Sequence, residues 1–415
     1  MTKENGKPQI RFAKFKDTWE QRKVSEIAIE KLSNGIMNNQ SDDETGVKHI
    51  NVINMYDTDK IHPEKLTFSN YDEEAVKKCN VEFGDIFLTR SSLKPEGIAE
   101  ANVLLDSGHF VYDDHLIRLK VNKEKYDPFF VKLNLSGNAF KRQFIVRAKT
   151  TAFTTIGQED ISECLGFFPK KEEQQQIGEY FMTLDHLITL HQRKYDKLVM
   201  SKKSMLEKMF PKNGQTKPEI RFSGFIDDWE QRKLGDVAEF SKGSGYSKGD
   251  LVEYGTPIIL YGRLYTNYET RISDVDTFVE AKVGSVYSKG GEVIVPASGE
   301  TAEDIARAAT VDKSGILLGG DLNIVMPNKD INSSFLAISI SSGNPQRELA
   351  KKAQGKSVVH IHNEEIKNLV LPFPIKDEQN KIASYFCQLD NLITLHQRKV
   401  SSRLFLNKST IFREN

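Results

Sequence analysis

The sequence predicts an α+β protein in which two similar globular domains alternate with two long helices. Three observations predict this: a repeated octapeptide, a heptad pattern running through it, and a second repeat near the start of each half. LITLHQRK stands at residues 187–194 and again at 392–399, and the wider segments 173–194 and 378–399 agree at 15 of 22 positions. Identity of this length at one spacing indicates an internal duplication, so the two halves should share one fold.

Each copy of the octapeptide is predicted to lie on a long helix. Apolar residues alternate by four and three positions over residues 177–209, which is the heptad pattern of a helix with one buried seam. No glycine or proline interrupts residues 179–210. The second copy keeps this seam over residues 382–400 and then weakens. Each helix should span roughly 35 residues, or about 50 Å, and the two seams most simply bury each other.

The second repeat marks where each half begins. Residues 8–28 and 218–238 agree at 12 of 21 positions and contain the only two tryptophans, Trp19 and Trp229, which we interpret as core anchors. Between the repeats the halves diverge, and short apolar segments beside glycine predict strands. The sequence therefore predicts the order domain, helix, linker, domain, helix. The repeats at the start and end of each half form a shared frame, whereas the residues between them have diverged. This pattern indicates that the two halves perform the same kind of task on different targets.

Composition excludes several classes of protein. Lys plus Arg equals Asp plus Glu at 58 each, so the chain lacks the strong positive charge typical of an autonomous nucleic-acid binder. The three cysteines are odd in number and unpatterned, which excludes a four-cysteine zinc site and favours a reducing compartment. The first residues carry no apolar signal core, so we expect a cytoplasmic location and no membrane partner.

No motif predicts catalysis. Residues 355–357 (GKS) lack the P-loop glycine, because Ala350 stands in its place, and the glycine-rich residues 242–249 are interpreted as a mobile loop. His360 and His362 fall on one side of a predicted strand without a further ligand at suitable spacing, so no metal site is predicted. We found no tetrapeptide of the adenine-methyltransferase type and expect no catalytic residue.

Side chains able to contact DNA gather near predicted strand ends in each half. Arginine can pair with guanine, glutamine with adenine and serine or threonine with several bases, while lysine contacts phosphates. Each segment by itself could be ordinary polar surface, so DNA binding is predicted for the whole group of residues rather than for any one of them. The predicted DNA-binding residues are Thr89, Arg90, Ser91, Ser92, Lys94, Lys149, Thr150, Thr151, Lys242, Ser244, Tyr246, Lys248, Tyr261, Arg263, Ser298, Glu300, Thr301, Gln354, Lys356 and Ser357.

The order of the repeats resembles the specificity subunit of type I restriction–modification systems over essentially the whole chain. The resemblance rests on WEQRK at residues 19–23 and 229–233, on Phe-Pro and Glu-Gln before each helix, and on both copies of LITLHQRK. It implies two pseudo-symmetric α/β target recognition domains separated by two long conserved helices that form an antiparallel coiled coil. The expected boundaries are residues 1–170 for the first domain, 171–211 for the central helix, 212–376 for the linker and second domain, and 377–415 for the C-terminal helix.

The resemblance also implies a function without catalysis. Each domain would read one half of a bipartite site in double-stranded DNA, the helix pair would set the spacing, and the conserved regions would dock two methyltransferase subunits. Two motor-nuclease subunits would complete the complex, and S-adenosylmethionine, ATP and Mg²⁺ would bind these partners rather than this chain. Two alternatives stay open: a fused restriction–methylation enzyme, which needs methyltransferase motifs, and a coiled-coil adaptor without DNA specificity.

Overall fold

The computed structural model describes residues 8, 10–37, 39–41, 44–57, 59–79, 81–212, 214–355 and 358–409, without the side chains of residues 40 and 402–409. The chain forms two compact units. The first comprises the described residues up to Gln192 together with those from Lys399 onwards, and the second comprises Arg193–Arg398.

The first half of the chain contains thirteen strands and six α-helices among its described residues. The strands are β1 (Glu20–Lys23), β2 (Ser33–Asn34), β3 (Gln40–Ser41), β4 (Val47–Ile50), β5 (Thr67–Ser69), β6 (Ile86–Thr89), β7 (Ser91–Ser92), β8 (Ala101–Val103), β9 (Phe110–Tyr112), β10 (Leu116–Leu119), β11 (Lys149–Thr150), β12 (Thr154–Thr155) and β13 (Leu165–Phe168). The helices are α1 (Val24–Ile27), α2 (Glu73–Cys79), α3 (Pro128–Leu135), α4 (Asn138–Arg147), α5 (Gln158–Ser162) and α6 (Lys171–Lys208).

The described part of the second half contains the same numbers. The strands are β14 (Glu230–Lys233), β15 (Ala238–Lys242), β16 (Leu251–Val252), β17 (Thr256–Ile259), β18 (Arg271–Ile272), β19 (Phe278–Val279), β20 (Glu292–Pro296), β21 (Ser298–Gly299), β22 (Ala309–Val311), β23 (Leu317–Leu318), β24 (Leu322–Pro327), β25 (Val359–His360) and β26 (Val370–Phe373). The helices are α7 (Arg263–Thr266), α8 (Ala302–Ile305), α9 (Ser333–Ile340), α10 (Gly343–Lys352), α11 (Asn363–Lys367) and α12 (Lys376–Ser409).

A central strand buried on both faces organises the first unit. β6 lies inside an antiparallel sheet of order β2-β10-β6-β8, and all four of its residues are buried. Ile86 and Leu88 join the core formed with the helices, whereas Phe87 joins a second core beneath the sheet of order β3-β5-β4-β9. A strand covered on both faces requires an unbroken apolar run, which explains why residues 86–88 do not alternate with polar ones.

The second unit repeats this plan around β20. Its sheet has the order β15-β24-β20-β22-β18, and a further sheet has the order β16-β19-β17-β23. Val293 and Val295 face the helical core, and Ile294 faces the other side. Each central strand follows a glycine with positive φ, Gly84 at 89° and Gly291 at 93°, a backbone conformation that side chains disfavour.

A buried ion pair ties the N-terminal segment of each half to the start of its long helix. Arg11 donates from Nε and Nη2 to the two carboxylate oxygens of Glu173, at 2.6 Å each. Arg221 binds Glu378 in the same two-pronged geometry at 2.7 Å. Glu173 and Glu378 are 1% and 0% exposed, so each carboxylate depends on its arginine for compensation.

The glutamine that follows the buried glutamate in each long helix holds a neighbouring helix in place. The side chain of Gln174 accepts a hydrogen bond from the backbone of Asp127 at 2.9 Å and donates to the carbonyl of the proline that precedes α6, at 2.8 Å. Gln379 makes the equivalent bonds to Asn332 and to its own preceding proline, at 2.9 Å each. Asp127 and Asn332 are the N-caps of α3 and α9, so these helices are held against the starts of α6 and α12.

The tryptophans lie in the cores, as predicted. Trp19 packs edge-to-face on Phe130 with ring centroids 5.9 Å apart. Trp229 packs on Phe335 in the same way at 5.8 Å. The two aromatic pairs hold equivalent positions in the two units.

The long helices confirm the heptad prediction. α6 has 38 residues and α12 has 34, close to the predicted length. The predicted seam positions up to Val400 are all buried or half-buried: Ile177, Phe181, Leu184, Ile188, His191, Tyr195, Leu198, Lys202 and Met205 in α6, Met209 directly after it, and Ile382, Phe386, Leu389, Ile393, His396 and Val400 in α12. The side chains of Leu404 and Ile411, where the seam was predicted to weaken, lie outside the described residues.

Contacts within the second unit give the direction of the helix pair. Lys202 on α6 forms an ion pair with Asp390 on α12. Phe210, just beyond α6, lies 6.3 Å from Phe386 between ring centroids. As the first segment advances, its partner moves back along α12, so the two segments are antiparallel.

The buried ion pair makes a prediction about stability. Replacing Glu378 with glutamine leaves the enclosed Arg221 guanidinium beside a neutral partner, so we expect the free energy of unfolding to fall by about 3 kcal/mol. Glu74→Gln is the matched control, because Glu74 pairs with Lys78 on an exposed helix face and its loss should cost less than about 0.5 kcal/mol. Urea unfolding followed by circular dichroism measures both, and equal losses would contradict the prediction.

Candidate nucleic-acid interface

The two polar segments predicted in the first half meet on one small sheet. Strand β12 is its centre, with β7 on one side and β11 on the other. Thr155 pairs with Ser91 on β7 and with Lys149 on β11. The structure thus brings together residues that are nearly sixty positions apart in the sequence.

Arg90 is held on this sheet by its backbone while its side chain is exposed. Its N–H donates to the carbonyl of His115 at 2.8 Å, and its carbonyl accepts from Ile156 at 3.0 Å. Its guanidinium lies 3.5 Å from the carbonyl of Asp114, a long hydrogen bond. A fixed backbone that carries an exposed guanidinium suits the recognition of bases or phosphates.

Thr89 differs from its neighbours because it is fully buried. Its hydroxyl donates to the carbonyl of Gly97 at 3.3 Å and accepts from the backbone of Glu100 at 2.9 Å. This position gives Thr89 a structural role in the turn after β6. The other predicted residues of the first half are at least partly exposed: Arg90, Ser91, Ser92, Lys94, Lys149, Thr150 and Thr151.

Sequence reasoning missed the residue at the tip of the β11–β12 hairpin. Phe153 is 54% exposed, and its carbonyl accepts a hydrogen bond from the backbone of Thr151 at 3.0 Å, which closes the turn. The hydroxyls of Thr150 and Thr154 lie 3.1 Å apart across the hairpin. The ring therefore projects from a hairpin that is closed beneath it by hydrogen bonds.

The second unit contains the same arrangement. Ser298 on β21 pairs with His360 on β25, and Gln354 exchanges two backbone hydrogen bonds with His360 at 3.1 and 2.8 Å. Val358 stands where Phe153 stands in the first unit and is 47% exposed. The predicted residues Lys356 and Ser357 lie outside the described residues. Comparing the residue before each hairpin's second strand would have revealed Phe153 and Val358 in the sequence.

The side chains on the two sheets differ although their backbones correspond. Ala297 takes the place of Arg90, since its N–H donates to the carbonyl of Asp321 at 2.8 Å and its carbonyl accepts from Ile361 at 3.1 Å. Glu300 is exposed, and Thr301 caps α8 by accepting from the backbone of Asp304 at 3.1 Å. The first sheet is therefore cationic, whereas the second mixes acidic, hydroxyl and amide groups.

The glycine-rich segment at residues 242–249, which was interpreted as a mobile loop, begins at the last residue of β15 and has a buried tyrosine at its centre. The hydroxyl of Tyr246, which is 9% exposed, bonds to Ser285 at 2.6 Å and accepts from the backbone of Lys282 at 2.7 Å. Ser244 is half-buried and accepts from a backbone N–H at 3.0 Å. The side chains of Lys242 and Lys248, at the two ends of this segment, are exposed.

Arg263 is engaged within the second unit. Its side chain is 12% exposed and forms ion pairs with Glu269 and Asp276, each at 3.0 Å. Tyr261, 37% exposed, packs against Tyr265, whose hydroxyl donates to the carbonyl of Ser298 at 2.5 Å. Burial raises the pKa of Tyr265, which keeps this hydroxyl a donor and fixes β21.

Comparisons with known proteins agree with this architecture. The model of the type I restriction modification DNA specificity domain matches residues 16–200 and again 226–403. The chain is 24% identical to the MjaX type I restriction enzyme specificity subunit of Methanocaldococcus jannaschii, covering 96% of this chain and 92% of that one. It is 23% identical to the MjaVIII specificity subunit of the same organism over 76% of this chain and 72% of the relative.

A solved structure shares the fold. The type I restriction–modification S subunit from M. genitalium superposes with a TM-score of 0.59 at 14% identity, covering 98% of this chain and all of that one. Because the domain model matches two segments that together span most of the sequence, the chain belongs to the type I restriction–modification DNA specificity family. The resemblance noted in the sequence is confirmed, and the family is one of non-catalytic DNA-recognition subunits.

None of the described helices combines the length and apolar character needed to cross a membrane.

Proposed function

We propose that this chain recognises a bipartite DNA site for a type I restriction–modification complex, with one half-site read by each unit. The observation that carries the proposal is the pair of equivalent sheets with different side chains. Because the two backbones correspond, both sheets would face DNA in the same way. Because their side chains differ, the two units would recognise different base sequences. An adaptor without DNA specificity gives no reason for this divergence, and a fused enzyme needs methyltransferase motifs that we did not find in the sequence.

The first sheet would contact DNA through Arg90, Lys94 and Lys149, supported by the hydroxyls of Ser91, Ser92, Thr150 and Thr151. The second would use Ser298, Glu300, Thr301 and Gln354, with Lys242 and Lys248 available for phosphates. Glutamate accepts from cytosine and glutamine pairs with adenine, whereas arginine favours guanine. The buried Thr89 and Tyr246 and the ion-paired Arg263 would support these surfaces rather than contact DNA.

Phe153 and Val358 would make the apolar contacts of each hairpin. Apolar side chains contact thymine methyl groups in the major groove or wedge between base steps in the minor groove. Exposure of an apolar residue at the same hairpin position in both units supports a shared role. Around Phe153, the hydroxyl and cationic groups of the first sheet favour nucleic acid over protein as the covering surface.

The helix pair would set the distance between the half-sites. Helices of 38 and 34 residues are about 50 to 57 Å long at 1.5 Å per residue. Such a length corresponds to roughly fifteen base pairs at about 3.4 Å each. Overhang of the recognition sheets would shorten the gap toward about one helical turn, so both half-sites would face the protein.

The repeated frame would dock the partner subunits. In the first unit Phe12 and Tyr180 form an edge-to-face pair at 6.2 Å, and in the second Phe222 and Tyr385 do so at 6.1 Å. The presence of two equivalent aromatic pairs supports the proposal that two methyltransferase subunits bind. The family resemblance adds two motor-nuclease subunits to the proposed complex. S-adenosylmethionine, ATP and Mg²⁺ would bind those partners, and the complex would act in the cytoplasm.

Loss of Arg90 tests the first sheet. We expect Arg90→Ala to weaken binding of the cognate duplex by about tenfold or more, because a bidentate arginine–base contact is worth about 1–3 kcal/mol. The control is Lys77→Ala, which removes a positive charge from the exposed face of α2 in the same unit. Fluorescence anisotropy on the assembled methyltransferase complex measures both affinities. Equal effects of the two variants would contradict a specific contact by Arg90.

Loss of the aromatic tip tests the hairpin. Because Phe153 is exposed, Phe153→Ser should leave the unfolding midpoint unchanged and weaken cognate binding several-fold through lost apolar contact. Ile53→Ser is the matched control, since Ile53 is a 77% exposed apolar residue of the same unit outside the hairpin. If Phe153→Ser bound like the control, the hairpin tip would have no part in recognition.

A further inference from the structure

Three side chains form a row across the recognition sheet of the second unit. His360 on β25 pairs with Ser298 on β21, and an antiparallel bridge joins it to Gln354 on its other side. Directly paired residues of a sheet carry their side chains on the same face. The row is therefore Gln354, His360 and Ser298, with the imidazole at its centre. The two outer residues belong to the predicted DNA-contacting set, whereas His360 does not.

This row faces away from the core of the second unit. His360 is exposed, and the next residue along the strand, Ile361, is fully buried. Successive side chains of a strand point to opposite faces, so the imidazole lies on the face opposite the core. Gln354 is also exposed, and Ser298 is half-buried. The imidazole is thus accessible to a ligand that covers this face.

Backbone hydrogen bonds hold His360 in place. Its N–H donates to the carbonyl of Gln354 at 2.8 Å, and its carbonyl accepts from the N–H of Gln354 at 3.1 Å. The N–H of Ile361 donates to the carbonyl of Ala297 at 3.1 Å, and its carbonyl accepts from the buried side chain of Asn323 at 2.9 Å. A recognition group on a fixed backbone selects its ligand more precisely than one on a mobile loop.

The hydroxyl of Ser298 engages one nitrogen of the imidazole and leaves the other for a ligand. It lies 3.1 Å from His360 Nδ1. Within the described ranges of the chain, no group forms a hydrogen bond with Nε2 of His360. When the hydroxyl donates to Nδ1, the neutral ring carries its proton on Nε2 and donates from there. The row therefore presents a hydrogen-bond donor at its centre.

The first unit has the same row with other side chains. Thr155 is its centre and pairs with Ser91 and Lys149. It is exposed between Thr154 and Ile156, which are only 1% and 3% exposed. Its hydroxyl lies 3.4 Å from the carbonyl of Lys149, and a hydroxyl that donates there still accepts. The equivalent positions of the two units thus carry a hydroxyl in one and an imidazole in the other.

The width of the row suits the major groove of DNA. Neighbouring strands lie about 4.8 Å apart, so three side chains in a row span roughly 10 Å. The major groove of B-DNA is about 12 Å wide and admits a two-stranded β-ribbon. With the sheet in the groove, the outer side chains lie nearer the two phosphate backbones, and the central side chain lies nearest the base edges.

We propose that His360 and Thr155 are specificity-determining residues, each contacting a base edge in the half-site that its unit reads. This inference rests on the proposed function and names the position in each sheet that selects a base. The Nε2–H of His360 suits guanine, which offers the acceptors N7 and O6, and disfavours cytosine, which offers only an amino donor in the major groove. The hydroxyl of Thr155 donates and accepts, so it discriminates less between bases.

Adenine-methylation maps of variant chains test this assignment. Each variant is expressed with the proposed methyltransferase subunit in a methylation-free host, beside the wild-type chain. His360→Ala should lower the preference for guanine at one position of one half-site by about tenfold or more. His360→Gln should shift the same position toward adenine, with which glutamine pairs through two hydrogen bonds. A residue that only supports the sheet would not create this new preference.

The first unit gives the reciprocal test. Thr155→Ala should relax one position of the other half-site and leave the half-site affected by His360→Ala unchanged. His109→Ala and Thr45→Ala are the matched controls, because both residues are exposed and lie outside the two recognition sheets. Both controls should keep the wild-type motif. The replaced side chains are exposed, so all variants should fold, which circular dichroism checks.

The outcomes separate this inference from the proposed function. A wild-type chain that directs no bipartite methylation would overturn the proposed function and the inference together. A wild-type bipartite motif that His360→Ala and His360→Gln both leave unchanged would overturn the assignment of His360 alone. Loss of methylation at every site in both variants would also overturn it, because His360 would then support the sheet without selecting a base.

Discussion

The fold of each half depends on a buried carboxylate at the start of its long helix. Glu173 and Glu378 would each be an uncompensated buried charge if Arg11 and Arg221 were absent, and the cost of that state exceeds most single interactions in a protein. The adjacent glutamine holds the N-cap of α3 or α9, so one turn of helix joins the N-terminal segment, the helical core and the long helix. This junction explains why Glu-Gln and Ile-Arg-Phe are repeated while the residues between them diverge.

The junction also separates what must stay constant from what can vary. Helix position and strand order follow from the repeated frame, whereas the small sheets at β7 and β21 extend from it and leave most of their side chains at least partly exposed. The second unit has Ala297 where the first has Arg90, and the same two backbone hydrogen bonds form at both positions. A recognition surface built in this way can change its sequence preference without changing the fold.

Much of the architecture could be predicted because an internal duplication and heptad spacing can be recognised directly in the amino-acid sequence. The lengths of α6 and α12, the burial of Trp19 and Trp229, and the strands after Gly84 and Gly291 all follow from such patterns. The candidate interface was predicted in part, since the polar segments were recognised but not their meeting at β12. The roles of Thr89, Tyr246 and Arg263 depend on burial and on the hydrogen bonds and ion pairs that each side chain makes in the folded unit, so no sequence pattern reveals them.

The central claim is that this chain alone specifies a split DNA site. A base-resolution adenine-methylation map of a methylation-free host tests it, comparing expression of the chain together with the proposed methyltransferase subunit against expression of that subunit alone. The account predicts a new motif in two separated halves, methylated only when the chain is present. Assembly of the complex with no new methylation, or a single continuous motif, would contradict it.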